Sequence, residues 1–172
     1  MFRYCPACAS EKISFEQNKV FRCPDCDFTY YHNIAAATAC MVRTNAGLLF
    51  LIRNREPGKG KLDLPGGFID PGEGAMDGLR REFMEELGLD IKAEELKLFA
   101  SFPNIYPYKN ISYNTCDLFF YLDAPYLTEK DLQLEKTEIS GVQFIKINEL
   151  DLERIAFESV KKAVRVYLKI TN

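Results

Sequence analysis

Hydrophobic and polar positions in this chain follow two different periods. Alternation at period two predicts strands over 35–43 and 47–54, joined by the turn Thr44-Asn45-Ala46-Gly47. Further strands are expected over 96–102, 112–121 and 142–147, with 103–110 (Pro-Asn-Ile-Tyr-Pro-Tyr-Lys-Asn) as a loop. The helical period appears twice. Leu79, Phe83 and Leu87 share one stripe; Ile155, Val160, Ala163, Val164 and Tyr167 form another, on a closing helix over 154–169. The first helix should begin near Gly74 or Ala75 and stop at Gly88, where a left-handed residue costs least. Strands mixed with two substantial helices predict an α/β fold, with helices on either side of a mixed sheet.

Residues 1–33 do not join this pattern, and 34–172 are read as a separate domain. Cys5-Pro-Ala-Cys8 and Cys23-Pro-Asp-Cys26 are two C-x2-C knuckles, with fourteen residues between Cys8 and Cys23. That spacing fits a closed four-thiolate zinc site. A segment this small cannot fold on its apolar content alone, so the metal supplies the missing stability. Short strands are expected over 19–22 and 28–31, making a zinc ribbon. Disulfides and redox-active pairs are the alternatives. Cys40 and Cys116 lack knuckle partners and read as small core residues.

The chain has 172 residues, 47% of them apolar, enough for one main core and a small appendage. A net charge of −3 gives no electrostatic case for nucleic-acid binding. Within 1–34, Arg3, Lys12, Lys19 and Arg22 are balanced by Glu11, Glu16, Asp25 and Asp27, and Zn(Cys)4 would add negative charge. This favours a scaffold or a homodimer contact over phosphate binding. The N-terminus MFRYCPACAS lacks the apolar core of a signal peptide, and no apolar run approaches the roughly 20 residues of a membrane span. A cytoplasmic protein is expected. There is no Trp, so stacking on a ligand must use Phe, Tyr or His.

The first helix carries the candidate chemistry. At roughly 100° per residue, Glu82, Glu85 and Glu86 lie within one face, beside the Leu79, Phe83 and Leu87 stripe. A solvated acidic face is the bland reading. Like charges at i,i+3 and i,i+4 repel, however, and only Arg80 and Arg81 are close in sequence to offset them. Grouped carboxylate oxygens suit a hard cation such as Mg²⁺ or Mn²⁺. Pro65-Gly66-Gly67 and Asp70-Pro71-Gly72 bracket the loop entering the helix, and Gly66 and Gly67 let backbone approach the site. Arg53, and the Pro57-Gly58-Lys59-Gly60-Lys61 loop beyond it, could meet substrate phosphates or be plain solvated surface.

From Gly67 to Leu89 the residues read Gly67, five spacers, Glu73, seven spacers, Arg81-Glu82-Phe83, one spacer, Glu85-Glu86, one spacer, Gly88-Leu89. Every fixed position of the Nudix box, G-x5-E-x7-R-E-U-x-E-E-x-G-U with U apolar, is filled. The chain therefore resembles the Nudix hydrolase family over 35–170. The resemblance implies an α/β/α sandwich and cleavage of a nucleoside diphosphate linked to another group. It implies one to three Mg²⁺ (or Mn²⁺) ions on Glu82, Glu85 and Glu86, with Glu73 and Arg81 orienting them through an ion pair. In such enzymes a base or further ligand comes from a later loop; Glu138 is the candidate here and Glu135 the second choice.

A zinc ribbon ahead of a Nudix domain is similar to the NADH pyrophosphatase branch and to relatives acting on ADP-ribose or FAD. The NADH-type signature S-Q-P-W-P-F-P-x-S is matched at Ser101, Pro103 and Pro107, with Tyr106 for Phe; its Gln, Trp, middle Pro and final Ser are replaced. The reading is a Mg-dependent pyrophosphatase releasing AMP from ADP-ribose or a related dinucleotide, with NADH or FAD as alternatives. Phe102, Tyr106 and Tyr108 are the candidate base-stacking residues. The rival of a different class is a nucleic-acid-binding or nucleotide-sensing protein with a vestigial Nudix domain; the complete set of box acids speaks against it.

Overall fold

The computed structural model describes residues 2–171, which divide into two compact units between Ile34 and Ala35. The first is a three-stranded antiparallel sheet in the order β1 (Ser14–Glu16), β2 (Val20–Arg22) and β3 (Thr29–Tyr31). Strands β2 and β3 fall where the pattern predicts them; β1 does not. Gln17 and Asn18 turn the chain between β1 and β2 with φ of 48° and 57°. That turn is made without glycine, so the usual sequence signal is missing. The unit's apolar content is thin: Phe21 is buried and stacks on Phe15 at 4.1 Å between ring centroids.

The second unit contains a six-stranded mixed sheet between two helices. Its strands are β4 (Ala35–Thr44), β5 (Gly47–Arg53), β6 (Leu62–Asp63), β7 (Lys97–Tyr108), β8 (Ile111–Asp123) and β9 (Ile139–Ile145). The order is β6-β5-β4-β8-β7, with β9 also paired to β5. β4 and β8 run parallel, while the pairs β4–β5, β7–β8, β5–β6 and β5–β9 are antiparallel. Helix α1 (Ala75–Leu87) covers one face and α2 (Glu158–Thr171) lies against the other core. Alternation explains the division. Cys40, Val42, Phe120 and Leu122 pack with Leu79, Phe83 and Leu87 of α1. Met41, Phe119, Leu48 and Phe50 pack with Val160, Ala163, Val164 and Tyr167 of α2. This is the α/β/α sandwich that the sequence predicts.

Three expectations need correction. The segment 103–110 is not a loop: β7 and β8 run on to Tyr108 and Ile111, leaving a two-residue turn at Lys109-Asn110. Prolines usually interrupt strands, but β7 pairs with β8 alone, and an edge strand tolerates them. The closing helix starts at Glu158 rather than near 154; Ile155 is buried ahead of it, bridged to Leu62. The last strand begins earlier than expected, at Ile139.

Candidate active site

The site arises where β4 and β5 separate. They pair only from Val42 to Thr44 on β4; beyond Leu49, β5 passes to β6 at Leu51 and Ile52. The gap left along β4 is filled by the loop that leads to α1. Cys40 N–H donates to the Pro65 carbonyl (2.9 Å), Thr38 N–H to Gly67 (2.8 Å), and Ile69 N–H to Ala36 (3.1 Å). Such close backbone approach explains the paired glycines. Gly66 has φ of 142°, and a Cβ there would stand 2.1 Å from the Thr38 carbonyl oxygen. A Cβ on Gly67 would stand 2.4 Å from Glu82 Oε1. Gly67 therefore leaves the space that the Glu82 carboxylate occupies.

Helix α1 starts after Gly74 and ends at Gly88, which is left-handed at φ 68° and donates to the carbonyls of Met84 and Phe83. Leu79, Phe83 and Leu87 are fully buried and fix its rotation. This points Glu82 and Glu86 into a cleft, whose rim and walls also include Gly66, Gly67, Arg81 and Glu138. Arg81 ties the acids together. Its Nε donates to Glu73 Oε1 (2.9 Å), and its Nη1 to Glu82 Oε1 (2.8 Å) and Glu85 Oε2 (3.1 Å). Its Nη2 donates to the Phe68 carbonyl at 2.8 Å. Hydrogen bonds from Arg81 hold the Glu73 carboxyl below the usual carboxylate range.

Glu86 is placed differently. It accepts from the Gly66 amide at 2.9 Å and, among the described residues, forms no ion pair. Burial pushes its carboxyl well above the usual range, against the pull of the Gly66 amide. Burial also raises Glu82, and Arg81 opposes it. Two half-buried carboxylates, only one of them paired with a guanidinium, fit a hard divalent cation by the chemistry of the donor set.

The three box glutamates do not converge on a single point, however. Among the described residues, only Cys5, Cys8, Cys23 and Cys26 form a group of three or more such side chains with ligand atoms mutually within 4.8 Å. Glu85 is turned out of the cleft onto Arg81 and is more than half exposed. Of the three, Glu82 and Glu86 line the cleft, and Glu85 shares the Arg81 Nη1 with Glu82. Like-charge repulsion accounts for this, with the Arg81 guanidinium taking up the excess negative charge.

The other predicted residues divide. Glu138 lines the cleft and pairs with Arg55; Glu135 does not line it, and accepts from the amide and hydroxyl of Thr137 (2.9 and 2.8 Å). Arg53 lines it too, held by several partners. It ends β5, donates to Asp63 at 2.6 Å and to the Pro57 carbonyl at 2.7 Å, and lies 5.0 Å over the Phe157 ring. Tyr106 lines the cleft, edge-on to Phe68 at 5.4 Å. Phe102 does not: it packs into the α2-side core, 6.1 Å from Phe119. Tyr108 is exposed at the strand end beneath Lys109.

Sequence reasoning passed over much of the cleft wall, including Thr38, Asp63, Asn104, Thr115, Asp117 and Phe157. One signal was present: Asp117 lies on the inward side of the alternation Thr115, Asp117, Phe119, Tyr121, where a strand facing a core should be apolar.

In the first unit, Cys5 Sγ is 3.6 Å from Cys26 Sγ, and Cys8 Sγ is 3.7 Å from Cys23 Sγ. Disulfides need about 2.05 Å. Thiolates around zinc, with Zn–S of about 2.3 Å, are separated by about 3.8 Å at a tetrahedral edge. The four sulfurs therefore fit a structural zinc ion. Cys40 is a core residue, fully buried, and burial pushes its thiol up. No helix among the described residues is long and apolar enough to cross a membrane.

The profile of the NUDIX domain matches residues 33–165, and the chain belongs to the Nudix family. The NAD-capped RNA hydrolase NudC of Chromobacterium violaceum is 31% identical over 101 residues, which are 59% of this chain and 38% of that protein. Across the curated relatives matched, the aligned part makes up 32% to 52% of their length. A NUDIX hydrolase from Nitrosomonas europaea shares the fold with a TM-score of 0.68 and 22% identity, over 98% of this chain and 91% of that one. The NUDIX domain of Shewanella oneidensis NrtR, solved with ADP ribose, superposes with a TM-score of 0.65 at 15% identity, over 83% and 91% of the two chains.

Proposed function

We propose that this chain hydrolyses the pyrophosphate bond of an ADP-linked metabolite, ADP-ribose or a related dinucleotide, releasing AMP. The observation that carries this reading is the pair of half-buried carboxylates, Glu82 and Glu86, set beside Gly66-Gly67 in a cleft that also holds Glu138 and Arg81. A diphosphate resists attack because its negative charge repels nucleophiles. Glu82 and Glu86, with Glu85, would hold a divalent cation, which when bound would supply neutralisation of that charge and a more acidic water. The chain's own residues do the rest. Arg81 and Glu73 fix the carboxylates in place, Gly66 and Gly67 let the diphosphate lie against backbone, and Glu138 accepts the proton of the attacking water. Zinc on the four cysteines holds the first unit together.

The names of the relatives favour a second reading with the same chemistry, in which the ADP-linked group is the NAD cap of an RNA. Both break the same kind of diphosphate bond, giving free AMP from the metabolite but a 5′-monophosphate RNA end and NMN from the cap, so the test is a panel. ADP-ribose, NAD⁺, NADH, FAD and NAD-capped RNA are each incubated with the protein and Mg²⁺, and products are resolved chromatographically. ADP-ribose is expected to be cleaved fastest, with activity lost in Glu86→Gln. Preference for capped RNA would select the second reading. No cleavage of any panel member would reject both.

A further inference from the structure

The cleft that holds Glu82 and Glu86 also has lining residues of a different character. Its walls carry Tyr106 and Phe157, 5.7 Å apart between ring centroids, and the short side chains of Ala37 and Ala39. Set into it is Asp117, buried on the α2 side of β8. Asp117 Oδ1 accepts from the Thr115 hydroxyl at 2.5 Å and Oδ2 from the Ser159 hydroxyl at 2.7 Å. Among the described residues no cation pairs with it. A carboxylate offers about four lone-pair sites, so two hydroxyls leave acceptor capacity unused.

Arg53 adds a complementary donor. Its Nη1 is taken by Asp63 and its Nε by Pro57; its buried Nη2 has no partner within hydrogen-bond geometry among the described residues, although the Tyr106 hydroxyl acts on the guanidinium from nearby. Thr38 Oγ1, on the same cleft and almost wholly buried, also lacks one among the described residues. Buried polar atoms are rarely left unpaired, and three kinds of unused capacity in one cleft call for a polar ligand. The joined aromatic rings and the short side chains beside them suit something flat. Neither the phosphates nor the ribose of the proposed substrate is flat or apolar-faced; its base is both.

We infer that Asp117 reads the nucleobase, accepting a hydrogen bond from an exocyclic amino group, while Nη2 of Arg53 donates to a neighbouring ring nitrogen or carbonyl. The inference rests on the nucleotide-hydrolase reading only for the kind of ligand, and it can be tested without turnover. Sites built to bond a polar group discriminate strongly against analogues lacking it, because their own buried groups are then left unpaired.

Binding of nucleoside monophosphates to the intact protein by calorimetry is the test. Two pairs differ at the amino group: AMP against purine riboside 5′-monophosphate, and GMP against IMP. The wild type should bind the amino-bearing member of at least one pair about tenfold or more tighter. Asp117→Asn, similar in volume, should shrink that ratio to within about threefold, with the far-UV spectrum unchanged. Equal affinities within both wild-type pairs, or an undiminished ratio in folded Asp117→Asn, would overturn the assignment; the wild-type comparison decides even if the variant does not fold. Discrimination without cleavage of any diphosphate would leave Asp117 as a base reader and remove the hydrolase reading instead.

Discussion

Arg81 and Glu73, eight residues apart and joined by a 2.9 Å hydrogen bond from Nε to Oε1, couple the loop before α1 to the helix face bearing the acids. Glu73 also accepts from the Asp70 amide at 3.0 Å, so it binds both the loop and the guanidinium. The same guanidinium reaches Glu82 and Glu85. Removing the negative charge of Glu73 frees Arg81 to move and lets the carboxylates spread.

Glu73→Gln should therefore weaken metal-dependent activity about 10- to 100-fold, through a higher Mg²⁺ concentration at half-saturation. Loss of activity with unchanged Mg²⁺ saturation would mean that Glu73 does not position the metal site. Circular dichroism checks that the helix persists.

Stability should depend on pH and metal through Glu86. Its folded-state pKa is raised by burial, so the protonated form is favoured in the fold. The contribution to stability is fully present below the unfolded-state value, near 4.3, and is lost as pH rises through the raised value. Glu73, with a lowered pKa, has the opposite slope, but its effect falls below the ordinary glutamate range. In chelator, the melting temperature should therefore decline as pH is raised from about 5 towards neutrality and beyond. Mg²⁺ should restore more stability at pH 8 than at pH 5, and Glu86→Gln should flatten the decline. A melting temperature independent of pH over this range, in wild type and variant alike, would contradict the assignment.

The four sulfurs of the first unit make a separate prediction. Thiols packed at 3.6–3.7 Å cannot all ionise unless a cation shares their charge. With little buried apolar surface besides Phe21, metal binding should be the main source of stability for these strands. Cys23→Ser should release zinc and expose the first unit to protease, while the NUDIX domain keeps its own melting transition. Elemental analysis of protein purified without chelator should find one zinc per chain. Sub-stoichiometric zinc in the wild type would count against the site.

How far the sequence announced these features depends on how local their causes are. Glu82, Glu85, Glu86 and the Leu79, Phe83, Leu87 stripe follow from the period of a single helix and its glycine stop, and α1 has those limits. The cysteine knuckles are equally local. The cleft wall formed by Arg53, Asp63, Asp117 and Phe157 is not. These residues lie far apart in sequence and meet because β5 leaves β4 for β6 while α2 packs beneath. No short window records that. Pro103 and Pro107 carried a misleading signal, since only the strand order shows that β7 is an edge. The opposed turn of Glu85 was hidden as well: helical periodicity places it with Glu82, and the Arg81 guanidinium decides which way its carboxylate points.

Tyr106 offers the last test, because its role can be separated from its packing. It sits on the inward side of β7, half-buried, edge-on to Phe68 at 5.4 Å and tilted against Phe157 at 5.7 Å. If the ring only packs, its removal should lower the melting temperature and leave substrate affinity alone. If it also forms a wall for a base, affinity must fall as well, since a base stacked on an aromatic ring gains roughly 1–3 kcal/mol. Tyr106→Ala should raise KM for ADP-ribose about tenfold, equivalent to about 1.4 kcal/mol, with kcat largely kept. Tyr106→Phe retains the ring face and should stay near the wild-type KM, which separates stacking from any bond made by the hydroxyl. A Tyr106→Ala variant that is folded, melts lower and keeps its KM would assign the ring to packing and move the stacking surface to Phe157.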